Sequence, residues 1–322
     1  MNIVILNGGL GNNLFQLAYG YSSFRKSGLA LDWCERDSFF SRKENNLLKC
    51  DLPDDVILLA HRNNSFLFRL CNLHLLHMLT AFNKKQKFLR IFFDWFMSKI
   101  CLCYLIYRYK GSVDIYLDGK KFTKSMKTKK FSVHVGYYQT ENYVKRIDLE
   151  IFQSMFDKFS IDPTYVGLLE ESNKNESVIV HIRIGDYVEN PDIGQLHETY
   201  FASALDFLSS QIDIVRIWVF SDSEELVNDY IPKKFKGASK IISTQKNTSS
   251  EVLKMMSLGS AYILSNSTFS WWAAYLRRIQ PAPVIAPTPW FATQLWDENL
   301  IPKNWKLVHA SFNEDLQSYK QE

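Results

Sequence analysis

One segment constrains this chain more than any other. The apolar run Val178-Ile179-Val180 leads straight into His181-Ile182-Arg183-Ile184-Gly185-Asp186-Tyr187. Such a run reads as a strand buried on both faces, the kind that builds parallel sheets. Charge at the end of that strand sits at the carboxyl edge of the sheet, where open α/β folds bind ligands. Arginine there carries a permanent charge in a planar fork that fits phosphate, and glycine lets the backbone approach closely. A solvated strand end accounts for a lone arginine, but poorly for histidine, arginine, glycine and aspartate together.

The surrounding pattern supports a sheet of this kind. Strands are expected at 178–182, 215–220, 240–243, 261–265 and 284–286. Helices alternate with them at 198–211, 223–230, 249–258 and 269–278. Such alternation means a parallel, doubly wound sheet. The start of the chain repeats the theme, with a strand, a glycine turn and a helix within residues 2–28, a strand at 29–33 and a returning strand at 132–138. The expected architecture is α/β, with two Rossmann-like domains facing a cleft and a helical, basic insertion in the N-terminal half. Residues 1–155 form the first domain, 156–300 the second, and 301–322 a tail that returns to the first.

Composition narrows the class. The 322 residues suffice for two cores, and the hydrophobic fraction of 46% is that of a globular protein. Five cysteines, Cys34, Cys50, Cys71, Cys101 and Cys103, form an odd set without CxxC spacing, which favours free thiols in a reducing compartment. Met1-Asn2-Ile3-Val4-Ile5-Leu6-Asn7 reads as a first strand, not a signal peptide. The apolar stretch Ile100–Tyr107 falls far short of the ~20 residues that span a bilayer. A cytoplasmic location is expected. The net charge of +4 hides an uneven distribution, since residues 60–130 carry fifteen Lys and Arg against Asp94, Asp114 and Asp118. That stretch is +12 and the remainder −8. Two readings stand for it: a basic amphipathic surface resting on the anionic inner face of a membrane, or an ordinary helical subdomain with its lysines in water. No nucleic-acid-binding module accompanies the charge.

Three further clusters sit at expected strand ends. Gly8-Gly9-Leu10-Gly11-Asn12-Asn13-Leu14 follows the first strand, and Asp32 lies where a ribose-binding acid would stand in a dinucleotide site. The third glycine of GxGxxG is replaced by Leu14, which favours a loop that contacts phosphate or sugar. Ser221-Asp222-Ser223 offers Asp222 either as an acceptor for a purine edge or ribose, or as the cap of a helix from Glu224. Ser265-Asn266-Ser267-Thr268-Phe269-Ser270 opens a helix with hydroxyls and amides suited to an anion, and Trp271 and Trp272 read as core. Together the four clusters describe a site for a nucleotide diphosphate.

These residues resemble the bacterial α-1,2-fucosyltransferases. The matching segments are GGLGNNLFQLAYG at 8–20, GYYQTENY at 136–143, HIRIGDY at 181–187, FSDS at 220–223 and SNSTFSWWAAYL at 265–276. The chain departs from the family at Asn13, usually glutamine, at Ile184, usually basic, and at Ser223, usually aspartate. The resemblance implies a GT-B fold, GDP-β-L-fucose as donor, a galactose-terminated glycan, free or lipid-linked, as acceptor, inversion at the anomeric carbon, and no metal cofactor. Carried over by position, Arg183 holds the β-phosphate and is the catalytic residue. His181 and Asp222 contact guanine or ribose; read from the strand-end cluster itself, His181 and Asp186 hydrogen-bond polar ligand groups or brace Arg183. Ser267, Thr268 and Phe269 cradle the phosphates, and Gly11 and Asn12 reach the donor from the N-terminal domain. Asp32, Glu35, Asp37 and Glu141 are the candidate bases on the acceptor side. A transferase for another sugar nucleotide, or a non-catalytic binding protein, are the competing functions.

Overall fold

A computed structural model describes residues 1–33, 36–38, 41–43, 46–59, 70–71, 73–75, 78, 88–109, 113–117, 120–121, 131–161, 167, 177–187, 190, 192–278, 282–293 and 298–313. The chain divides into two compact units, Met1–Ile147 and Asp148–Glu322.

The first unit follows from its apolar runs. Strand β1 (Asn2–Leu6) leads through Gly8 and Gly9 into helix α1 (Leu10–Phe24), and β2 (Leu29–Trp33) follows. The hairpin β3 (Arg36–Ser38) and β4 (Ser41–Lys43) precedes β5 (Val56–Leu58), the long helix α2 (Phe88–Tyr109), β6 (Val113–Leu117), β7 (Lys120–Lys121) and β8 (Phe131–Val135). The short helix α3 (Glu141–Val144) closes the unit. Sheet order is β5-β2-β1-β8-β6-β7, with only the β6–β7 pairing antiparallel. Helix α1 lies close on this sheet because Gly20 has no side chain. A Cβ there would stand 2.8 Å from Leu29 Cδ1 and 3.1 Å from Val4 Cγ2.

Helix α2 is the described part of the helical basic section, together with helical residues at 70–71, 73–75 and 78; the rest of that section lies outside the described residues. Its buried Leu105 and Tyr109 join Val113, Ile115, Val133 and Ile3 in one core. Its carboxyl end is fixed by charge. Arg108 Nε and Nη2 donate to Asp32 Oδ2 and Oδ1 at 3.0 and 2.9 Å, and Tyr109 Oη donates to Asp32 Oδ2 at 2.6 Å. Both charged side chains are almost fully buried. Burial alone would lower the Arg108 pKa, but the hydrogen bonds and charge of Asp32 outweigh it and hold the guanidinium above its usual value. Burial, reinforced by the Asp32 charge, raises the Tyr109 phenol well above its usual value.

The second unit begins with α4 (Leu149–Ser154) and β9 (Ser177–Ile182), followed by α5 (Glu198–Ser209), β10 (Arg216–Ser221) and α6 (Lys233–Lys236). Then come β11 (Ser239–Ser243), α7 (Ser249–Met256), β12 (Ala261–Ile263), α8 (Thr268–Tyr275), β13 (Val284–Thr288) and β14 (Lys306–His309). The sheet is wholly parallel in the order β11-β10-β9-β12-β13-β14. Strand β9 is buried at every residue, as its apolar run requires. Helix α7 starts at a capping box, in which Thr248 Oγ1 accepts the Glu251 amide and the Glu251 carboxylate accepts the Thr248 amide.

Three expectations need correction. The division between units falls at Ile147/Asp148 rather than after residue 155. Helix α4 belongs with the second unit because Phe152 stacks on Trp272 at 5.8 Å and Gln153 Nε2 donates to the carbonyls of Leu276 and Arg277. The segment after residue 300 does not return to the first unit as far as it is described. Strand β14 extends the second sheet, and the Asn313 amide donates to the Gln195 carbonyl; residues 314–322 lie outside the described residues. No α-helix occupies 223–230, where only a 3-10 turn, Val227–Tyr230, forms. Its buried Val227 and Tyr230 are three residues apart, which suits a 3-10 turn, and the preceding Glu224-Glu225 offers no apolar face.

Truncating either member of the buried ion pair, Arg108→Ala or Asp32→Ala, is expected to cost about 3–5 kcal/mol, because each leaves the other charge buried and unpaired. Urea unfolding measures the loss. The double replacement Asp32→Leu/Arg108→Met should cost less than either truncation.

Candidate functional site

The second sheet reverses direction between β9 and β12. From β9 the chain steps outward through β10 and β11, and from β12 the other way through β13 and β14. Ligands of open α/β sheets bind beyond the carboxyl ends of strands at such a reversal. The register pairs Val180 with Ile263, so the residues following each strand, Arg183 and Asn266 among them, emerge side by side.

Asp222, the residue after β10, organises this edge. Its Oδ1 accepts the Ile184 amide at 2.9 Å, its Oδ2 accepts the Gly185 amide at 3.1 Å, and Oδ2 also faces Arg183 Nη1 at 3.2 Å. Gly185 is required here, because a Cβ would lie 2.7 Å from Asp222 Oδ2. From the other side, Gln245 Nε2 donates to the Asp222 carbonyl at 2.7 Å. Asp222 therefore braces the loop that carries Arg183. Both of its carboxylate oxygens take protein donors, and no helix begins at Glu224 for it to cap. The Arg183 side chain is 32% exposed and its guanidinium lies 5.9 Å from the Tyr187 ring centroid. Tyr187 Oη in turn donates to the Asn266 carbonyl at 3.2 Å, which ties the loops after β9 and β12 together.

His181 is buried beneath this loop, with Nδ1 2.7 Å from Ser265 Oγ. Burial, then the neighbouring Arg183 charge, lowers its pKa to about 3, so the imidazole is neutral. Ser267 caps α8, its hydroxyl accepting the Phe269 amide at 3.3 Å. Thr268 and Phe269 are half-buried in the first turn of α8, at the positive end of the helix dipole. Trp271 and Trp272 are fully buried, and Trp271 Nε1 donates to the Leu300 carbonyl at 2.8 Å. The structure thus gathers Arg183, Asp222, His181, Ser267, Thr268 and Phe269 at one sheet edge. The side chain of Asp186 lies outside the described residues; its backbone belongs to the 3-10 turn Gly185–Tyr187.

In the first sheet β1 pairs with β2 on one side and β8 on the other, and the glycine loop follows β1. Gln16, fully buried on α1, accepts the Asn7 amide at 2.9 Å and Asn13 Nδ2 at 3.1 Å through Oε1, and donates through Nε2 to the Gly136 carbonyl at 2.8 Å. Gly8 adopts φ 83°, and a Cβ there would lie 2.5 Å from Asn12 Nδ2. Asn12 Oδ1 accepts Gln139 Nε2 at 2.9 Å, and Gly11 is buried in the first turn of α1. Among the candidate bases, Asp32 is closed off by Arg108 and Tyr109, which also removes it as a ribose ligand. Glu141 is half-buried in the first turn of α3. Glu35 and the Asp37 side chain lie outside the described residues.

The motif pattern is borne out by comparison with known proteins, since the model of Glycosyl transferase family 11 matches residues 2–309. The chain belongs to this glycosyltransferase family. It is similar to the alpha-1,2-colitosyltransferase of Escherichia coli, with 29% identity over 319 residues that cover 95% of this chain and 98% of the relative. The O-antigen biosynthesis glycosyltransferase WbnK of Escherichia coli is 24% identical over 315 residues, 89% of this chain and 94% of that one. Among solved structures, NodZ alpha-1,6-fucosyltransferase soaked with GDP-fucose matches with a TM-score of 0.43 at 11% identity, over 89% of this chain and 95% of that chain. Gln16, Tyr187, Gln245 and Asn266 also hold these loops, and none of them is a candidate from the sequence. Gln16, Tyr187 and Asn266 lie inside the quoted motifs, while Gln245 carries no signal at all.

The buried imidazoles give a pH test. His134 on β8 is lowered to about 4 by burial, and His181 to about 3. Both sit below the ordinary value of 6.5, so the unfolded chain binds more protons than the folded one between 6.5 and these values. Stability from these groups is full above pH 6.5 and drains away as acid is added. Nitrogen-15 NMR of labelled histidine should show both rings uncharged at about pH 5, where an unperturbed imidazole is largely protonated.

Proposed function

We propose that this glycosyltransferase is a galactoside α-1,2-fucosyltransferase of GT-B architecture. It moves L-fucose from GDP-β-L-fucose, with inversion, to the 2-hydroxyl of a terminal galactose in a surface polysaccharide or O-antigen precursor. The observation that carries this reading is Arg183, a half-exposed guanidinium fixed by Asp222 at the reversal of the second sheet, beside the amino end of α8. The names of the two relatives, an α-1,2-transferase and an O-antigen glycosyltransferase, support the linkage and the setting.

In the proposed reaction the bond from the sugar anomeric carbon to the diphosphate oxygen breaks, and its electron pair leaves with GDP. The acceptor oxygen bonds to the opposite face of that carbon, and its proton passes to water. Negative charge grows on the diphosphate, and donors already aimed at it lower the barrier without reorganising. Arg183 supplies a planar pair of N–H donors, and the first turn of α8 adds amide dipoles. His181, being neutral, serves as a hydrogen-bonding wall and not as a second cation. No base is assigned, and the reading requires no metal.

A second donor is favoured by one comparison. The alpha-1,2-colitosyltransferase relative points to colitose, the 3-deoxy counterpart of L-fucose, so a donor without the 3-hydroxyl belongs in the same assay.

The deciding experiment incubates the protein with GDP-fucose, GDP-colitose and GDP-mannose against a panel of β-galactosides, followed by linkage analysis. The expected product is an α-1,2-linked 6-deoxy sugar, formed equally in the presence of a chelator. A product with another linkage, or activity abolished by chelation and restored by manganese, contradicts the proposal. Arg183→Ala should lose about 3 kcal/mol or more of transition-state stabilisation, seen mainly in kcat. Arg183→Lys should also be poor, because a point charge cannot replace a planar fork. Asp222→Asn, which presents an amide N–H to backbone amides that need an acceptor, should lower kcat in the same assay.

A further inference from the structure

We infer that the outward face of α2 is a docking surface for an anionic phospholipid bilayer. The inward face of this helix is settled, with Ser98, Cys101, Leu105 and Tyr109 buried. Directly opposite, at spacings of four, three and four, stand Phe96, Ile100, Cys103 and Tyr107, all exposed, Phe96 to 50% and Tyr107 to 80%. With 3.6 residues per turn these four fall in a stripe about 60° wide and about 16 Å long. A helix that lies on water normally turns polar on this face. In the neighbouring helical segment Leu70 and Leu73 are also exposed. That segment is held to α2 by His74 Nε2, 3.1 Å from Ser98 Oγ, and by Cys101 Sγ against the Cys71 carbonyl.

Charge identifies the occupant. Lys84, Lys85 and Lys87 directly precede α2 in the sequence, Lys110 directly follows it, and residues 60–130 together carry a net +12. A second copy docked face to face would bring two such segments together, and like charges oppose that pairing. An anionic lipid surface gains from each lysine, by roughly fivefold in affinity per charge near the surface. Phenylalanine, isoleucine and tyrosine are side chains that enter the interfacial layer of a bilayer. Among the described residues no helix is long and apolar enough to cross a membrane, so the contact is peripheral. This inference is independent of the donor reading, because lipid binding is measured without any sugar.

The test is sedimentation of the full chain with vesicles of phosphatidylglycerol and phosphatidylcholine, against vesicles of phosphatidylcholine alone, at low and at near-molar salt. Binding is expected only to the anionic vesicles and should weaken with salt. Tyr107→Ser, at a side chain too exposed to hold the fold, should reduce binding, and Phe96→Ser/Tyr107→Ser should reduce it roughly tenfold. Reversal of Lys84, Lys85 and Lys87 to glutamate should abolish it. Binding that is absent, indifferent to lipid charge or unchanged by the serine variants overturns the inference. So does a concentration-dependent dimer that the same serine variants disperse.

Discussion

Asp222 accepts the amides of Ile184 and Gly185 and faces the guanidinium of Arg183, so one carboxylate sets both the path of the chain out of β9 and the direction of the cation. Gly185 is obligatory because the carboxylate occupies the space a side chain would need. The arrangement has a cost in attraction, since a guanidinium that shares its charge with a neighbouring carboxylate pulls less strongly on a distant anion. It gains direction instead. A donor held in place before a ligand arrives does not reorganise when charge develops, and that is where preorganised sites gain most. The first turn of α8, which follows the strand paired with β9, adds the positive end of a helix dipole to the same sheet edge.

The edges of the two sheets are built on different chemistry. Around the glycine loop of the first unit, Gln16, Asn12, Asn13 and Gln139 join loop to loop with neutral amides, each satisfied by a backbone or side-chain partner. Around β9 the bracing is ionic. A neutral amide network fixes a loop without adding charge, which suits a surface that meets a neutral hydroxylated ligand. An ionic brace leaves a cation at the rim, which suits phosphate. Asp32 of the first sheet, which the sequence places where a ribose-binding acid would stand, is held internally by Arg108 and Tyr109.

These differences explain what the sequence made legible. Strands such as Val178–Ile182 and helices opened by a capping box, such as the one at Ser249, declare themselves through local residues. So did the cluster at Arg183, because the residue types are unusual for a strand end. Long-range partners were not legible. Asp222 serves a loop 37 residues earlier in the chain, and Arg108 meets Asp32 across 76. Nothing in either local pattern names its partner, and a helix cap was an equally sound use of Asp222 until no helix followed it. Strand β14 carries no strand signal because Lys306-Leu307-Val308-His309 is an exposed edge strand without an apolar run.

Helix α2 shows how such a long-range pair changes the meaning of a surface. Its sequence is apolar on two opposite faces, so periodicity alone does not say which face turns inward. Arg108 resolves this. Its bidentate contact with Asp32 is buried and charged, and rolling the helix to bury the Phe96–Tyr107 stripe would pull both charges apart inside the protein. The cost of that, several kcal/mol, exceeds what burial of the exposed aromatic surface would return once the present inward face was exposed in exchange. The ion pair thus holds the stripe outward, in water, while Ser98, Cys101, Leu105 and Tyr109 stay in the core.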